Sequence, residues 1–225
     1  MAENMADISV QLKDGESLTV PASTSVKDVL AQLLSGKQRK KTIAAYAGDI
    51  AVDLNKELNE DTVLTPIQIG SDDALEILRH STAHVMAQAV RDIYGTDVKI
   101  AIGPAIENGF YYDFLRDEPF NPEDFTKIEA RMAEIATQAC SFSRKEEDRL
   151  TALETFRQQG EKYKVELLQE FEDDKISMYQ QGDFVDLCRG PHLPDTSWIK
   201  DFKLLRVAGA YWRGDEKNDV LQRIY

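Results

Sequence analysis

The chain has 225 residues, of which 42% are hydrophobic and 30% charged, enough to bury the cores of two soluble domains. No apolar run approaches the ~20 residues that cross a bilayer, and the acidic N-terminus is unlike a signal or transit peptide, so we expect no membrane partner. The net charge of −13 argues against non-specific nucleic-acid binding, and the two cysteines are too few for a disulfide framework, which predicts a cytoplasmic location.

Residues 1–68 predict a small β-grasp (ubiquitin-like) module. The predicted elements are a hairpin of two strands at 8–12 and 18–20, a helix at 24–34 and two further strands at 43–46 and 63–69. Asp14 and Gly15 predict the turn of the hairpin, and Thr24 or Ser25 predicts the cap of the helix. This order of elements in so short a stretch favours the β-grasp fold.

Residues 69–225 predict a larger α+β domain with a long helix and a mixed or antiparallel sheet. The predicted helices are 74–94, 121–140 and 146–159. The predicted strands are 100–102, 109–114, 184–187, 202–207 and 220–224. Gly103-Pro104 predicts a tight turn between the first two strands. The predicted class of the whole chain is therefore α+β.

All three histidines and one of the two cysteines stand in two pairs with the same spacing, His80-x-x-x-His84 and Cys188-x-x-x-His192. Residues i and i+4 share one side of a helix, and His80 and His84 lie roughly opposite the apolar residues of the long helix. Pro191 excludes a helix interior around the second pair, so we expect a tight loop that brings a thiol and an imidazole together. The pattern predicts one polar site built from two distant segments.

Two kinds of chemistry suit these four side chains. Three imidazoles and a thiolate match a tetrahedral zinc ion, but four protein ligands would leave no open position for a water. The helix also lacks the glutamate of the metalloprotease motif His-Glu-x-x-His. The alternative is a metal-free pocket in which imidazoles, the thiol and a nearby lysine or aspartate hold a substrate and a water. The spacing alone leaves both alternatives open.

Longer motifs resemble those of bacterial-type threonyl-tRNA synthetases. They are His80-Ser-Thr-Ala-His84, Gly103–Asp113, Tyr163-Lys164-Val165, Asp186–His192, Gly209–Asp215 and Leu221–Tyr225. They follow one another as in the N-terminal region of that family, which consists of a TGS domain and an editing domain similar to that of alanyl-tRNA synthetases. Arg-Gly-Pro between Cys188 and His192 favours the threonyl branch.

The resemblance implies editing of mischarged tRNA. Serine lacks one methyl group of threonine, and such a difference is worth only about 1–3 kcal/mol in a binding pocket, so a second site is needed to remove serine. The implied reaction is hydrolysis of the ester that joins serine to the 3′ end of threonine tRNA. Matched by motif, the catalytic residues are His80 and Lys164, and the substrate-binding residues are His84, Tyr111, Asp186, Cys188 and His192.

The resemblance also implies that editing uses no metal and no cofactor. ATP and zinc would serve the aminoacylation domain of a complete synthetase, so we expect no ligase activity from this chain. The complete enzyme would be a homodimer and this chain a monomer. Two alternatives stay open: a zinc-dependent alanyl-type or free-standing trans-editing deacylase, and a non-catalytic RNA-binding module.

Overall fold

The computed structural model describes residues 6–13 and 15–225. The chain divides into two compact units, one that runs to Ile77 and includes Gly190–Pro194, and one formed by Leu78–Arg189 and Asp195–Tyr225. Helices and strands are mixed along the chain, which confirms the predicted α+β class. Among the described residues, no helix combines the length and the apolar character needed to cross a membrane.

A five-stranded sheet and a short helix form the first unit. Its elements are β1 (Asp7–Leu12), β2 (Ser17–Pro21), β3 (Thr24–Ser25), α1 (Val26–Leu33), α2 (Gly36–Arg39), β4 (Thr42–Ala47), β5 (Ile50–Asp53), β6 (Glu57–Leu58) and β7 (Thr62–Gln68). The strand order is β2-β1-β7-β4-β5, and β3 and β6 form a separate pair. In the centre of the sheet β1 runs parallel to β7, whereas its other neighbour β2 is antiparallel.

The predicted hairpin, helix and two strands of this unit are all present. Alternation along β1 buries Ile8 and Val10 on one face of the sheet, where they join the core under α1. The side chain of Ser25 accepts a hydrogen bond from the N–H of Asp28 and so begins α1. Of the predicted hairpin turn, Asp14 lies outside the described residues.

The second unit consists mainly of two antiparallel sheets and four helices. The first of these helices begins a few residues before Leu78, where the unit starts. The elements are α3 (Asp72–Tyr94), β8 (Lys99–Ile100), β9 (Ala105–Ile106), β10 (Gly109–Phe110), β11 (Tyr112–Leu115), α4 (Pro122–Thr137), β12 (Phe142–Asp148), α5 (Arg149–Gln158), α6 (Lys162–Glu170), β13 (Lys175–Gln181), β14 (Phe184–Leu187), β15 (Val207–Tyr211) and β16 (Val220–Ile224). One sheet has the order β15-β16-β11-β8, the other β12-β13-β14, and β9 and β10 pair as a small hairpin.

The long helix α3 is present; it begins at Asp72, two residues before the predicted start, and ends at Tyr94 as predicted. The Ser71 hydroxyl accepts a hydrogen bond from the N–H of Ala74, and Gly95 ends the helix with a φ of +73°. Burial does not follow the apolar and polar sides of this helix. His84, on the predicted polar face, is 2% exposed, whereas Leu75, on the predicted apolar face, is 40% exposed. Other parts of the second unit cover the polar side of the helix.

Several predicted elements of the second unit differ in place or type. Residues 146–148, predicted as helix, extend β12 because they pair with β13, and the helix begins only after the Asp148 side chain caps it. The turn predicted at Gly103-Pro104 is instead the approach to the hairpin of β9 and β10. The strand predicted at 202–207 is found at β15. Helix α6 and strand β13 have no predicted counterpart.

Candidate active site

A cavity of about 750 Å³ lies in the second unit, within the size range of small-molecule sites. Its lining comes from α3, α6, β11, β12, β13 and β14 and from the segments that follow β8, α6 and β14. Five of the seven predicted site residues line it: His80, His84, Lys164, Asp186 and Cys188. The fold therefore brings together side chains that are separated by more than a hundred positions in the sequence.

His80 and Cys188 are joined by a hydrogen bond. The distance from His80 Nε2 to Cys188 Sγ is 2.9 Å, and the imidazole is half-buried at the cavity. The backbone of Cys188 is held by Ser177, whose hydroxyl donates to the Cys188 carbonyl oxygen at 2.6 Å. The backbone that carries the thiol is therefore fixed, and the hydrogen bond from the thiol restrains the rotation of the His80 ring.

His84 is the inner of the two helix histidines. Its ring centroid is 4.9 Å from that of His80, and its Nε2 is 3.8 Å from Oδ2 of Asp186. Burial, followed by the nearby His80 and Lys164, lowers the pKa of His84 well below its usual value of 6.5. His84 is therefore a neutral imidazole at neutral pH.

Lys164, Asp186 and Tyr112 form a buried polar network beside the histidines. Lys164 and Asp186 make an ion pair, and both side chains are almost fully buried. The Tyr112 hydroxyl donates to the Asp186 carboxylate, while the Lys164 ammonium donates to the Tyr112 oxygen at 3.2 Å. Burial and then the Asp186 charge raise the pKa of Tyr112 well above its usual value, so the phenol keeps its proton. Each buried polar group in the network has a partner, as a buried ion pair requires.

Tyr111 does not line the cavity, and its neighbour Tyr112 does. The Arg223 guanidinium lies 3.8 Å from the centroid of the Tyr111 ring, which also packs near Tyr225. Side chains alternate along extended backbone, so the motif that predicts a tyrosine here leaves two candidates one residue apart. Gly103 makes room for the Tyr112 ring, because a Cβ at position 103 would overlap it. The substrate-binding role of Tyr111 stays a prediction.

His192 belongs to the segment Gly190–Pro194 of the first unit. Its backbone N–H donates to Oδ1 of Asp53 at 2.8 Å, and the residue is buried. The predicted tight loop is present, with Gly190 at a φ of +73° and a cis peptide bond before Pro191. The substrate-binding role of His192 stays a prediction.

The imidazole and thiol groups at the cavity are typical zinc ligands, but two of their donor atoms lie too close together for a bound zinc ion. One donor atom each from His80, His84 and Cys188 lie within 4.8 Å of one another. Nitrogen and sulfur ligands of a tetrahedral zinc ion would stand about 3.5 Å apart, since Zn–N is about 2.0–2.1 Å and Zn–S about 2.3 Å. The separation of 2.9 Å between Nε2 of His80 and Sγ of Cys188 is that of a direct hydrogen bond. A metal would have to push these two atoms apart.

Sequence reasoning missed a basic and an apolar part of the lining. Arg144, Lys175 and Arg189 line the cavity although the chain as a whole is acidic. Leu167 and Phe171 also line the cavity. They follow Lys164 by three and seven positions, so they lie on the same side of α6 as Lys164, with Phe171 directly after the helix. That spacing was present in the sequence, but it becomes informative only once α6 is known to be a helix.

Comparisons with known proteins indicate which family the chain resembles. Residues 176–225 match the family described as "Threonyl and Alanyl tRNA synthetase second additional domain". The chain is similar to the threonine–tRNA ligases of Citrifermentans bemidjiense (51% identical over 224 residues), Geobacter sp. strain M21 (50% over 224) and Syntrophotalea carbinolica (49% over 222). Each alignment covers 98% of this chain but only 34%, 34% and 35% of the respective ligase, so the chain spans about a third of the length of these curated relatives. The resemblance to the threonyl-tRNA synthetase family that the motifs predicted is therefore confirmed.

Proposed function

We propose that this chain hydrolyses the ester bond between serine and the 3′-terminal adenosine of threonine tRNA. The observation that carries the proposal is the meeting of His80, Lys164, Asp186 and Cys188 at one cavity in a chain similar to threonine–tRNA ligases. The match to the second additional domain supports it, because Asp186 and Cys188 lie inside the matched residues. At about 750 Å³ the cavity has room for an aminoacylated nucleoside.

His80 and Lys164 are the proposed catalytic residues. His80 holds a water whose oxygen adds to the ester carbonyl carbon, and the Lys164 ammonium stabilises the negative charge that develops on the carbonyl oxygen. The bond from the carbonyl carbon to the ribose oxygen then breaks, and the ribose oxygen takes up the proton that the water loses. The products are free serine and a tRNA with an intact 3′ hydroxyl.

The remaining predicted residues bind the substrate. Asp186 would accept the α-ammonium group of serine, and Tyr112 takes the place that the motif suggested for the preceding tyrosine. Cys188 holds the His80 ring through their hydrogen bond and does not attack the ester. His84, neutral because of its burial, serves as a hydrogen-bonding group, and His192 is proposed as a further contact.

Two domains are proposed, a TGS-like β-grasp domain at 1–68 and an editing domain at 69–225. The order β2-β1-β7-β4-β5, with β1 and β7 parallel, supports the β-grasp assignment. In this proposal the chain acts in the cytoplasm as a monomer. ATP and zinc would be needed only by the aminoacylation part of a complete, homodimeric synthetase.

Single-turnover deacylation tests the proposal. The full chain would be mixed in excess with threonine tRNA charged with serine or with threonine, with and without a chelator. We expect the serine ester to be cleaved, the threonine ester to be spared because of its extra methyl group, and the chelator to have no effect. Equal cleavage of the two esters would refute selective editing.

A zinc-dependent deacylase of the alanyl type is the second candidate. It is favoured by the three imidazole and thiol donors that lie within 4.8 Å of one another. Stoichiometric zinc in the chain purified without added metal, together with chelator-sensitive cleavage, would support this candidate against the metal-free one.

A further inference from the structure

Glu161 directly precedes α6, the helix that carries Lys164. It is 4% exposed, yet its carboxylate has two partners from other elements. Oε2 accepts a hydrogen bond from the N–H of Ile100 at 3.3 Å, and Oε1 pairs with the guanidinium of Arg91. A buried carboxylate with two donors fixes the backbone that bears it, because loss of either donor would leave a charge poorly satisfied. The start of α6 is therefore anchored.

Arg91 ties this anchor to the helix of the histidines. It lies on α3, seven positions after His84 and eleven after His80. Because these intervals are close to two and three helical turns, the three residues lie along one side of α3. The Arg91–Glu161 pair thus connects the helix that holds His80 to the helix that holds Lys164.

A second cavity, of about 360 Å³, brings the two ion pairs together. Arg91, Glu161, Lys164 and Asp186 all line it. Lys164 and Asp186 also line the larger cavity, whereas Arg91 and Glu161 do not. Lys164 therefore stands between the substrate cavity and the anchor, and Glu161 has no contact with the space that a substrate would occupy.

We propose that Glu161, acting with Arg91, is a positioning residue that places the Lys164 ammonium for catalysis. The role of Lys164 in this inference rests on the proposed function. Misplacement of a catalytic group by about 1 Å can cost about a hundredfold in rate, so a residue outside the cavity can have a large effect.

A double-mutant cycle tests this role. Glu161→Gln keeps the shape of the side chain and an oxygen for the Ile100 N–H, but it removes the charge that pairs with Arg91. We expect the single-turnover rate on threonine tRNA charged with serine to fall by about tenfold or more in Glu161→Gln. It should fall no further when Glu161→Gln is added to Lys164→Ala. Equal losses in the two backgrounds would overturn the proposal, since general destabilisation would be additive.

Glu170→Gln is the matched control. Glu170 is the last residue of α6, is exposed and pairs with Arg213, so this variant makes the same substitution at the other end of the helix, away from the anchor. It should leave the rate within about twofold of the wild-type value. A loss equal to that of Glu161→Gln would refute a specific role for the anchored end.

An NMR measurement decides the question independently of activity. The ¹³Cε signal of Lys164, identified by its loss in Lys164→Arg, should shift in Glu161→Gln and stay in place in Glu170→Gln. An unchanged signal in Glu161→Gln would overturn the positioning role. If Lys164→Ala deacylates at the wild-type rate, the proposed function of Lys164 fails, and the NMR result still shows whether Glu161 positions it.

Discussion

The burial of His84 makes the stability of the chain depend on pH in a defined direction. Its pKa in the folded chain is well below 6.5, whereas in the unfolded chain the imidazole has its usual value. At higher pH the residue is neutral in both states and contributes no pH dependence. As the pH falls below 6.5, the unfolded chain binds a proton at His84 that the folded chain does not bind, so stability is lost.

The size of the effect follows from proton linkage. Each pH unit over which only the unfolded state is protonated costs 2.303RT, about 1.36 kcal/mol. Integrated from pH 7 to pH 5 with an unfolded pKa of 6.5, the loss is about 1.9 kcal/mol when the folded chain takes up no proton at His84 over that range.

The assay compares the wild type with His84→Gln by urea denaturation at several pH values. The variant cannot titrate at this position, while every other titratable group is common to the two proteins. The wild-type free energy of unfolding should therefore fall more than that of the variant between pH 7 and pH 5, by up to about 1.9 kcal/mol. Parallel pH dependences would show that His84 is protonated alike in both states and would refute the argument.

Three substitutions probe the site itself. His80→Ala should lower serine deacylation by about a hundredfold or more while a non-hydrolysable seryl-adenosine analogue still binds, and an unchanged rate would remove the residue from the mechanism. Asp186→Asn leaves the buried Lys164 ammonium without its counter-ion and should lower the free energy of unfolding, measured with urea, by about 3–5 kcal/mol. A loss below about 1 kcal/mol would contradict a buried ion pair. Gly103→Ala should lower the free energy of unfolding by about 1–3 kcal/mol, because the new Cβ would overlap the Tyr112 ring. Gly209→Ala, whose Cβ would make only ordinary contacts, should lower it clearly less. Equal losses in the two variants would contradict the steric argument.

Local signals were sufficient for elements with clear ends. The structure shows end signals at both predicted helices: Ser71 and Gly95 stand at the ends of α3, and Asn121 begins α4 with a capping box before Pro122. Periodicity also placed His80 and His84 on one side of a helix. It could not say what covers that side, since a polar face looks the same in sequence whether it meets water or a buried polar network.

Contacts between distant segments explain what the sequence did not predict. Lys164 stands in a polar stretch that resembles a solvated loop, and the counter-charge for its burial comes from Asp186, twenty-two positions away. The strand at 142–148 consists mainly of charged residues and is extended because β13 pairs with it. The choice between Tyr111 and Tyr112 depended on strand register, which a motif does not reveal.

The ion pair between Lys164 and Asp186 means that the pocket holds an ammonium–carboxylate bond before any substrate arrives. In the proposed reaction, a substrate whose α-ammonium binds Asp186 would replace the Lys164 ammonium at that carboxylate. The displaced ammonium needs a new partner, and the negative charge that develops on the ester oxygen would supply it. An N-acylated amino acid has no ammonium to exchange and would leave the lysine locked in place. The hydrolytic machinery would thus be unlocked by the amino group of the residue that it removes, and a tRNA carrying a peptide would be protected.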